Sequence, residues 1–360
     1  MSFAITATLL PPNLVWRSYP GGSVLRRFRA LPSAPDNHFP EDWLASTVQA
    51  RNGENSSGPG EGLSFVRANG TWTVLRDLFA SESDFWFGAN HLARGGNAPG
   101  VLWKLLDSSV RLQFQAHPDA TFAREHFNSN AGKTECWYIL STRDDACVYL
   151  GFQRPPARNE WAEMIREQKV DKMLACFERI PVKAGDCYVV PAGTPHAIGA
   201  GVFMVELMEP TDWVVRCEVV TAGLALSPDA CFMGLGLDAC LDIFDYSAYS
   251  LDQVRERFQQ HPRVLREGRG LSEEEIIAPD WHQFFRLHRI RVKESTEWPG
   301  HELMLLIIVK GEGELSAGGQ PCRCKQGETL LLPGAAESWS WTGTDSELLL
   351  LKLPIKDQSR

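Results

Sequence analysis

Gln115 and His117 stand two residues apart in "LQFQAHPD", Glu135 opens "ECWYIL", and His196 closes "GDCYVVPAGTPH". An amide oxygen, two imidazoles and one carboxylate are donor types that a divalent cation accepts, Zn²⁺ among them. On a strand, residues two apart point to the same face, so Gln115 and His117 share an aim. Pro118 biases His117 towards extended backbone, which supports the strand at the point where the pair is needed. A carboxylate entering an aromatic strand is costly unless it is paired or coordinated, and Glu135 is placed that way. Only Glu135 would bring charge to an ion, which would keep about +1 and remain a Lewis acid. Spacing alone leaves buried polar core residues as the alternative.

The elements that would position these groups are short strands. "GVLWKLL", "RLQFQAH", "ECWYIL" and "ACVYLGF" have strand-like length and content. Segment 159–177 changes period: Trp161, Ile165, Val170, Met173, Leu174 and Phe177 fall near one helical face behind Asn159 as N-cap. Strands resume through "ERIPVKAGDCYVVPAG" and "VFMVELMEP". Helix signals return over 226–280, notably "SLDQVRERFQQH" and "LSEEEIIA", before a last block of strands.

One pattern repeats. Gly185, Pro191 and His196 follow G-x5-P-x4-H, and Gly327, Pro333 and Ser338 repeat the spacing with serine in the histidine's place. The pattern resembles the second signature of the cupin barrel, a small antiparallel jelly-roll-type fold. The expectation is a mainly β protein with two cupin domains and a helical segment between or beside them. Residues 1–225 would form the metal-binding unit, 226–280 a mostly helical connection, and 281–360 a second cupin without ligands.

The segments together resemble the type I mannose-6-phosphate isomerases. "LQFQAHPD" is similar to that family's Gln-x-His-Pro-Asp motif, "GKTECWYIL" to its Lys-x-Glu-x-Trp-Tyr strand, and "VPAGTPHAIGAG" to its His-Ala signature. "VELMEPTDWVVR" resembles its Glu…Asp-x-x-x-Arg strand, and "FPEDWLAST" and "EGLS" extend the likeness over roughly the first 220 residues. The resemblance implies Gln115, His117, Glu135 and His196 as ligands of one zinc ion, and Arg216 as the catalytic arginine. It implies Lys133, Glu206 and Asp212 in the sugar pocket, and interconversion of mannose 6-phosphate and fructose 6-phosphate through a cis-enediol. Gln113 stands where the family commonly has serine, and Ile198 where some relatives carry an aromatic residue.

The chemistry is consistent with the residue types. Isomerisation develops negative charge on O1 and O2, and nearby cations lower that barrier. Lys133 and Arg216 would add charge and attract phosphate. Glu206 and Asp212 are both candidate bases, and sequence does not rank them. Asp212 has a plainer alternative, pairing with Arg216 four residues on. Other readings are an isomerase of a different sugar phosphate, a non-catalytic sugar-binding cupin, and an Fe(II) dioxygenase, which more often uses three histidines and a glutamate.

A net charge of −9 over 360 residues argues against a nucleic-acid partner. No apolar stretch is long enough to span a membrane. The first residues lack a basic region, and Pro11 and Pro12 interrupt the apolar run, so a secretion signal is not expected. Nine irregularly spaced cysteines imply reduced thiols and a cytoplasmic setting, with Cys322 and Cys324 read as alternate strand residues. The expected partner is a small sugar phosphate; the oligomeric state is left open.

Overall fold

The computed structural model describes residues 5–68, 70–94, 96–319 and 321–355. Residues 1–4, which open the segment read for a secretion signal, lie outside them. The chain is mainly β, as expected, and its sheets are antiparallel.

At the front, a five-stranded sheet runs in the order Ile180–Pro181, Cys147–Leu150, His196–Ile198, Gln115–Ala116, Val215–Arg216. A six-stranded sheet faces it, in the order Cys187–Val190, Glu135–Thr142, Val202–Met208, Leu102–Asp107, Glu41–Leu44, Leu14–Val15. Behind lies a nine-stranded sheet built mainly from residues 263–352, with the long strands Met304–Ser316 and Ser338–Lys352 paired at its centre.

Alternation explains the stacking. In Val202–Met208 every residue is buried, because the strand is covered on both faces. Val202 and Met204 pack with Val148 and Leu150 towards the front sheet. Phe203, Val205 and Leu207 pack with Leu287, Leu305 and Leu351 of the back sheet. Each such side chain contributes roughly 1.5–3 kcal/mol by leaving water. The back sheet repeats the split: Leu305 and Ile307 face forward, whereas Met304, Leu306 and Ile308 join Trp298, Trp339 and Trp341 in its own core.

The repeated glycines do the same job. Gly185 (φ 90°) and Gly327 (φ 86°) both take left-handed backbone, which favours glycine because it has no Cβ. A Cβ on Gly327 would also come within 1.7 Å of the Phe28 carbonyl oxygen, so this turn is packed against the N-terminal helix Ser23–Phe28.

Two expectations need correction. Segment 159–177 is two helices, Arg158–Arg166 and Val170–Ala175, interrupted where Gln168 takes φ 51°. The first is capped from Ala157, whose N–H donates to Glu160, and not from Asn159. Trp161, Ile165, Met173 and Phe177 are buried as expected, but Leu174 is exposed, because the break rotates the second helix out of phase.

The segment 226–280 is helical only in part. Pro228–Phe232, Leu237–Cys240 and Leu251–Phe258 are helices, whereas Arg263–Gly268 and Leu271–Glu275 form a hairpin that extends the back sheet. The acidic run is held extended by partners across the ladder: Glu273 by Arg266 and His288, Glu274 by Arg289, Glu275 by Arg263. Thr8–Leu9, for which no pairing was expected, joins Thr329–Leu332 of the back sheet.

Candidate functional site

Register places the chemistry. In the five-stranded sheet Gln115 lies directly opposite His196 on one side and Arg216 on the other. Directly opposed residues share a face, so the three point together into the space between the sheets. From the facing sheet, Lys104 and Glu206 oppose each other, and Glu206 opposes Trp137. Glu135 is two residues before Trp137 and therefore shares that face. Two sheets thus aim their polar residues into one space.

His117, Glu135 and His196 bring one ligand atom each to within 4.8 Å of one another, all buried. His117 Nε2 is 3.0 Å from one oxygen of Glu135, and His196 Nε2 is 3.7 Å from the other. The remaining ring nitrogens are anchored: His117 Nδ1–H donates to the Trp213 carbonyl oxygen at 2.9 Å, and His196 Nδ1–H to that of Thr194 at 2.9 Å. That fixes the tautomer and leaves both Nε2 lone pairs turned inward, as a metal requires. The Gln115 side-chain amide lies 3.2 Å from His196 Nε2, and rotation of its terminal group by 180° presents the oxygen instead. Four N and O donors therefore converge, and the set fits a divalent cation.

The electrostatics agree with that fit. Burial lowers the His117 imidazole to about 3, assisted by the Lys133 ammonium, so the ring is neutral and able to donate its lone pair. Burial also lowers His196. Burial opposes ionisation of Glu135, but Lys133 at 2.9 Å and the two histidines outweigh it and hold the carboxyl well below its usual range. Among the described residues this is the one group of His, Cys, Asp or Glu with metal-ligand geometry. Cys322 and Cys324 lie on the ordinary strand Cys322–Lys325, as expected.

The other expected residues gather at the same place. Lys133, Glu206, Asp212 and Arg216 line one narrow cavity with Gln115 and Glu135. It adjoins a wider outer cleft of about 610 Å³ that shares Ser18, Asp212, Val214 and Arg216 with it.

The structure separates the two candidate bases. Burial raises Glu206 to about 8, helped by the negative charge of Glu135, although Lys104 sits 2.7 Å away. Burial opposes ionisation of Asp212 too, but Arg17 at 3.2 Å and Lys133 outweigh it and keep the carboxyl low. Asp212 does not pair with Arg216; it binds Arg17 and accepts the Arg51 backbone N–H at 2.8 Å.

Sequence reasoning missed the groups behind this line. Glu41 accepts from Arg17 Nε (2.8 Å), Tyr19 Oη (2.6 Å) and Trp43 Nε1 (2.7 Å), and Lys104 bridges Glu41 at 3.3 Å to Glu206. Asp212, Arg17, Glu41 and Lys104 thus alternate in sign through the buried wall and lead to Glu206, which offsets the cost of burying each charge. The available signal was a lysine at mid-strand in "GVLWKLL".

The comparisons with known proteins agree with this geometry. A family model for the mannose-6-phosphate isomerase cupin domain matches residues 275–349, in the back sheet. A mannose-6-phosphate isomerase of Streptococcus mutans is 28% identical over 282 residues, 72% of this chain and 78% of that protein. The mannose-6-phosphate isomerase ManA of Bacillus subtilis is 28% identical over 273 residues, 74% of this chain and 80% of that protein. Among solved structures, a mannose 6-phosphate isomerase from Bacillus subtilis superposes with a TM-score of 0.74 at 21% identity, covering 97% of this chain and 100% of that one. A putative mannosephosphate isomerase from Archaeoglobus fulgidus gives 0.73 at 16% identity, covering 98% and 100%. In ordered motifs, architecture and curated relatives, this chain is similar to the mannose-6-phosphate isomerases, and residues 275–349 match that enzyme's cupin domain.

Proposed function

We propose that the protein interconverts mannose 6-phosphate and fructose 6-phosphate, with Gln115, His117, Glu135 and His196 holding one zinc ion at the floor of the cavity. The observation that carries the reading is the convergence of His117, Glu135 and His196 beside Glu206, Lys104 and Lys133. When bound, the ion supplies a Lewis acid that favours negative charge on the sugar's O1 and O2.

The chain's own residues do the rest. Lys104 and Lys133 flank the reacting end with positive charge whose attraction strengthens as the enediolate forms, and Arg216 stands at the mouth of the cavity, where it meets the outer cleft. Glu206, poised near neutrality, takes the proton from C2 of the aldose and returns it to C1 on the same face, then reverses for the ketose. Asp212 anchors Arg17 and the Arg51 backbone, so its part is to hold the wall in place. The two-cupin division belongs to this reading: a catalytic unit up to about residue 225, and a ligand-free companion centred on the back sheet. All nine cysteines are free, Cys136 and Cys187 even with sulfurs 3.5 Å apart, which suits a reducing cytoplasm.

The test is turnover by protein carrying about one metal per chain, followed by a coupled assay and by solvent deuterium entering the product. Chelation is expected to abolish turnover and zinc to restore it. No turnover by fully metallated protein, over a panel of C6-phosphorylated aldoses and ketoses, sinks the reading. Turnover of another member of that panel in preference would move the substrate and keep the reaction.

A further inference from the structure

We infer that Arg51, together with Arg216, forms the anion-binding end of the substrate site and selects the phosphorylated sugar. The inference rests on the isomerase reading above and names the residues that read the substrate's far end.

The catalytic cavity opens into the outer cleft through Asp212, Val214 and Arg216, and Arg51 lines that cleft. A sugar with its C1–C2 end at His117, Glu135 and His196 must direct its other end outwards through this opening. Two guanidiniums await it. Among the described residues, neither Arg51 nor Arg216 has a carboxylate partner within ion-pairing distance; Arg216 donates to the Ala230 carbonyl oxygen at 3.0 Å. The other arginine of the wall, Arg17, is occupied by Glu41 and Asp212.

Arg51 is also pre-oriented. Its guanidinium lies 4.0 Å from the centre of the Trp213 ring, and Trp213 stacks on Phe127 at 3.9 Å. Its backbone N–H is tied to Asp212 Oδ2 at 2.8 Å. A guanidinium seated over an indole face at this distance keeps N–H donors available for the fork that phosphate oxygens accept. Of the carboxylates in the cleft, Asp212 is neutralised by Arg17, and Glu54 and Asp229 are exposed.

The residues nearer the metal group do not serve the anion. The Gln113 side chain donates to the Glu218 carbonyl oxygen at 3.1 Å and accepts from Ser18 at 3.4 Å, so its amide is spent inside the protein. Lys104 and Lys133 are engaged with Glu206 and Glu135.

The experiment compares wild type, R51M and R51K as holoproteins, on mannose 6-phosphate and on unphosphorylated mannose, and titrates each with inorganic phosphate by calorimetry. R51M keeps an apolar chain on Trp213 and removes the charge. The expected result is a KM for mannose 6-phosphate raised about 10- to 100-fold with kcat within about three-fold, the pattern of lost uniform binding. Phosphate affinity falls by a similar factor, mannose turnover is unchanged, and R51K recovers part of the loss. An unchanged KM and phosphate affinity in active R51M and R51K overturns the inference and spares the isomerase reading. So does an equal loss on mannose and its phosphate. A metallated wild type without turnover on either sugar overturns the isomerase reading first.

Discussion

His196 and Ser338 occupy the same step of one repeated pattern, and their surroundings have diverged with them. Around His196 the space between two sheets holds Gln115, Glu135, Lys104, Glu206 and Arg216, with a cavity among them. Around Ser338 the back sheet is filled by Trp298, Trp339, Trp341, Met304 and Leu306, all buried. Both turns keep their left-handed glycine, Gly185 and Gly327. The backbone device is therefore kept whether histidine or serine follows it. What differs is the filling: charged and polar side chains line the site in front, and close-packed rings give the back a dry core, whose other face the six-stranded sheet packs on through Leu305 and Leu351.

The sharpest way to break this contrast is His196→Ala, which removes a donor from the converging set. Metal affinity is expected to fall by at least about 100-fold and turnover with it, read by metal analysis and the coupled assay. Retained metal and activity would erase the distinction between the two copies. Glu206→Gln comes next: the metal stays bound while kcat falls about 10²–10⁴-fold, the range for a lost acid–base group. Trp339→Ala tests the other side, with a stability loss of about 3–5 kcal/mol in denaturant titration and unchanged kcat per folded molecule.

Acid separates the regions more gently. Burial opposes ionisation of Glu41, but Arg17 and Lys104 outweigh it and hold its carboxyl low. A carboxyl depressed on folding stabilises above its unfolded value of about 4.3, and that contribution is lost as the pH falls further. Hydrogen exchange is therefore expected to rise first in the front strands Glu41–Leu44 and Leu102–Asp107 below about pH 4.5. The smallest effect is that of Ser338→His: metal content stays at one per chain, because Trp339 and Trp341 supply no companion donor.

Much of the site was legible because its signals are local. Gly185, Pro191 and His196 lie within one turn and its strand, and Gln115 and His117 share a face by alternation. Glu135 announced itself by opening an aromatic strand. Arg17, Glu41 and Lys104 did not, since a lone charge in an apolar strand acquires meaning only when register supplies its partner: Arg17 meets Asp212 from the far end of the front unit. The helix over 159–177 looked continuous because both halves carry similar apolar spacing; the break at Gln168 is a matter of backbone. The "LSEEE" run has good helix formers, and tertiary ion pairs with Arg263, Arg266 and Arg289 override that propensity.

The pairing of Thr8–Leu9 with Thr329–Leu332 has a bearing on how the molecule comes into being. Leu9 meets Leu330, so this strand finds its neighbour only in a segment far along the sequence. Such a clasp between segments distant in sequence is slow to form, because the intervening chain must first be brought to compactness. Until it closes, one border of the rear layer stays open to strangers, and a chain cut anywhere between the halves would leave that border bare.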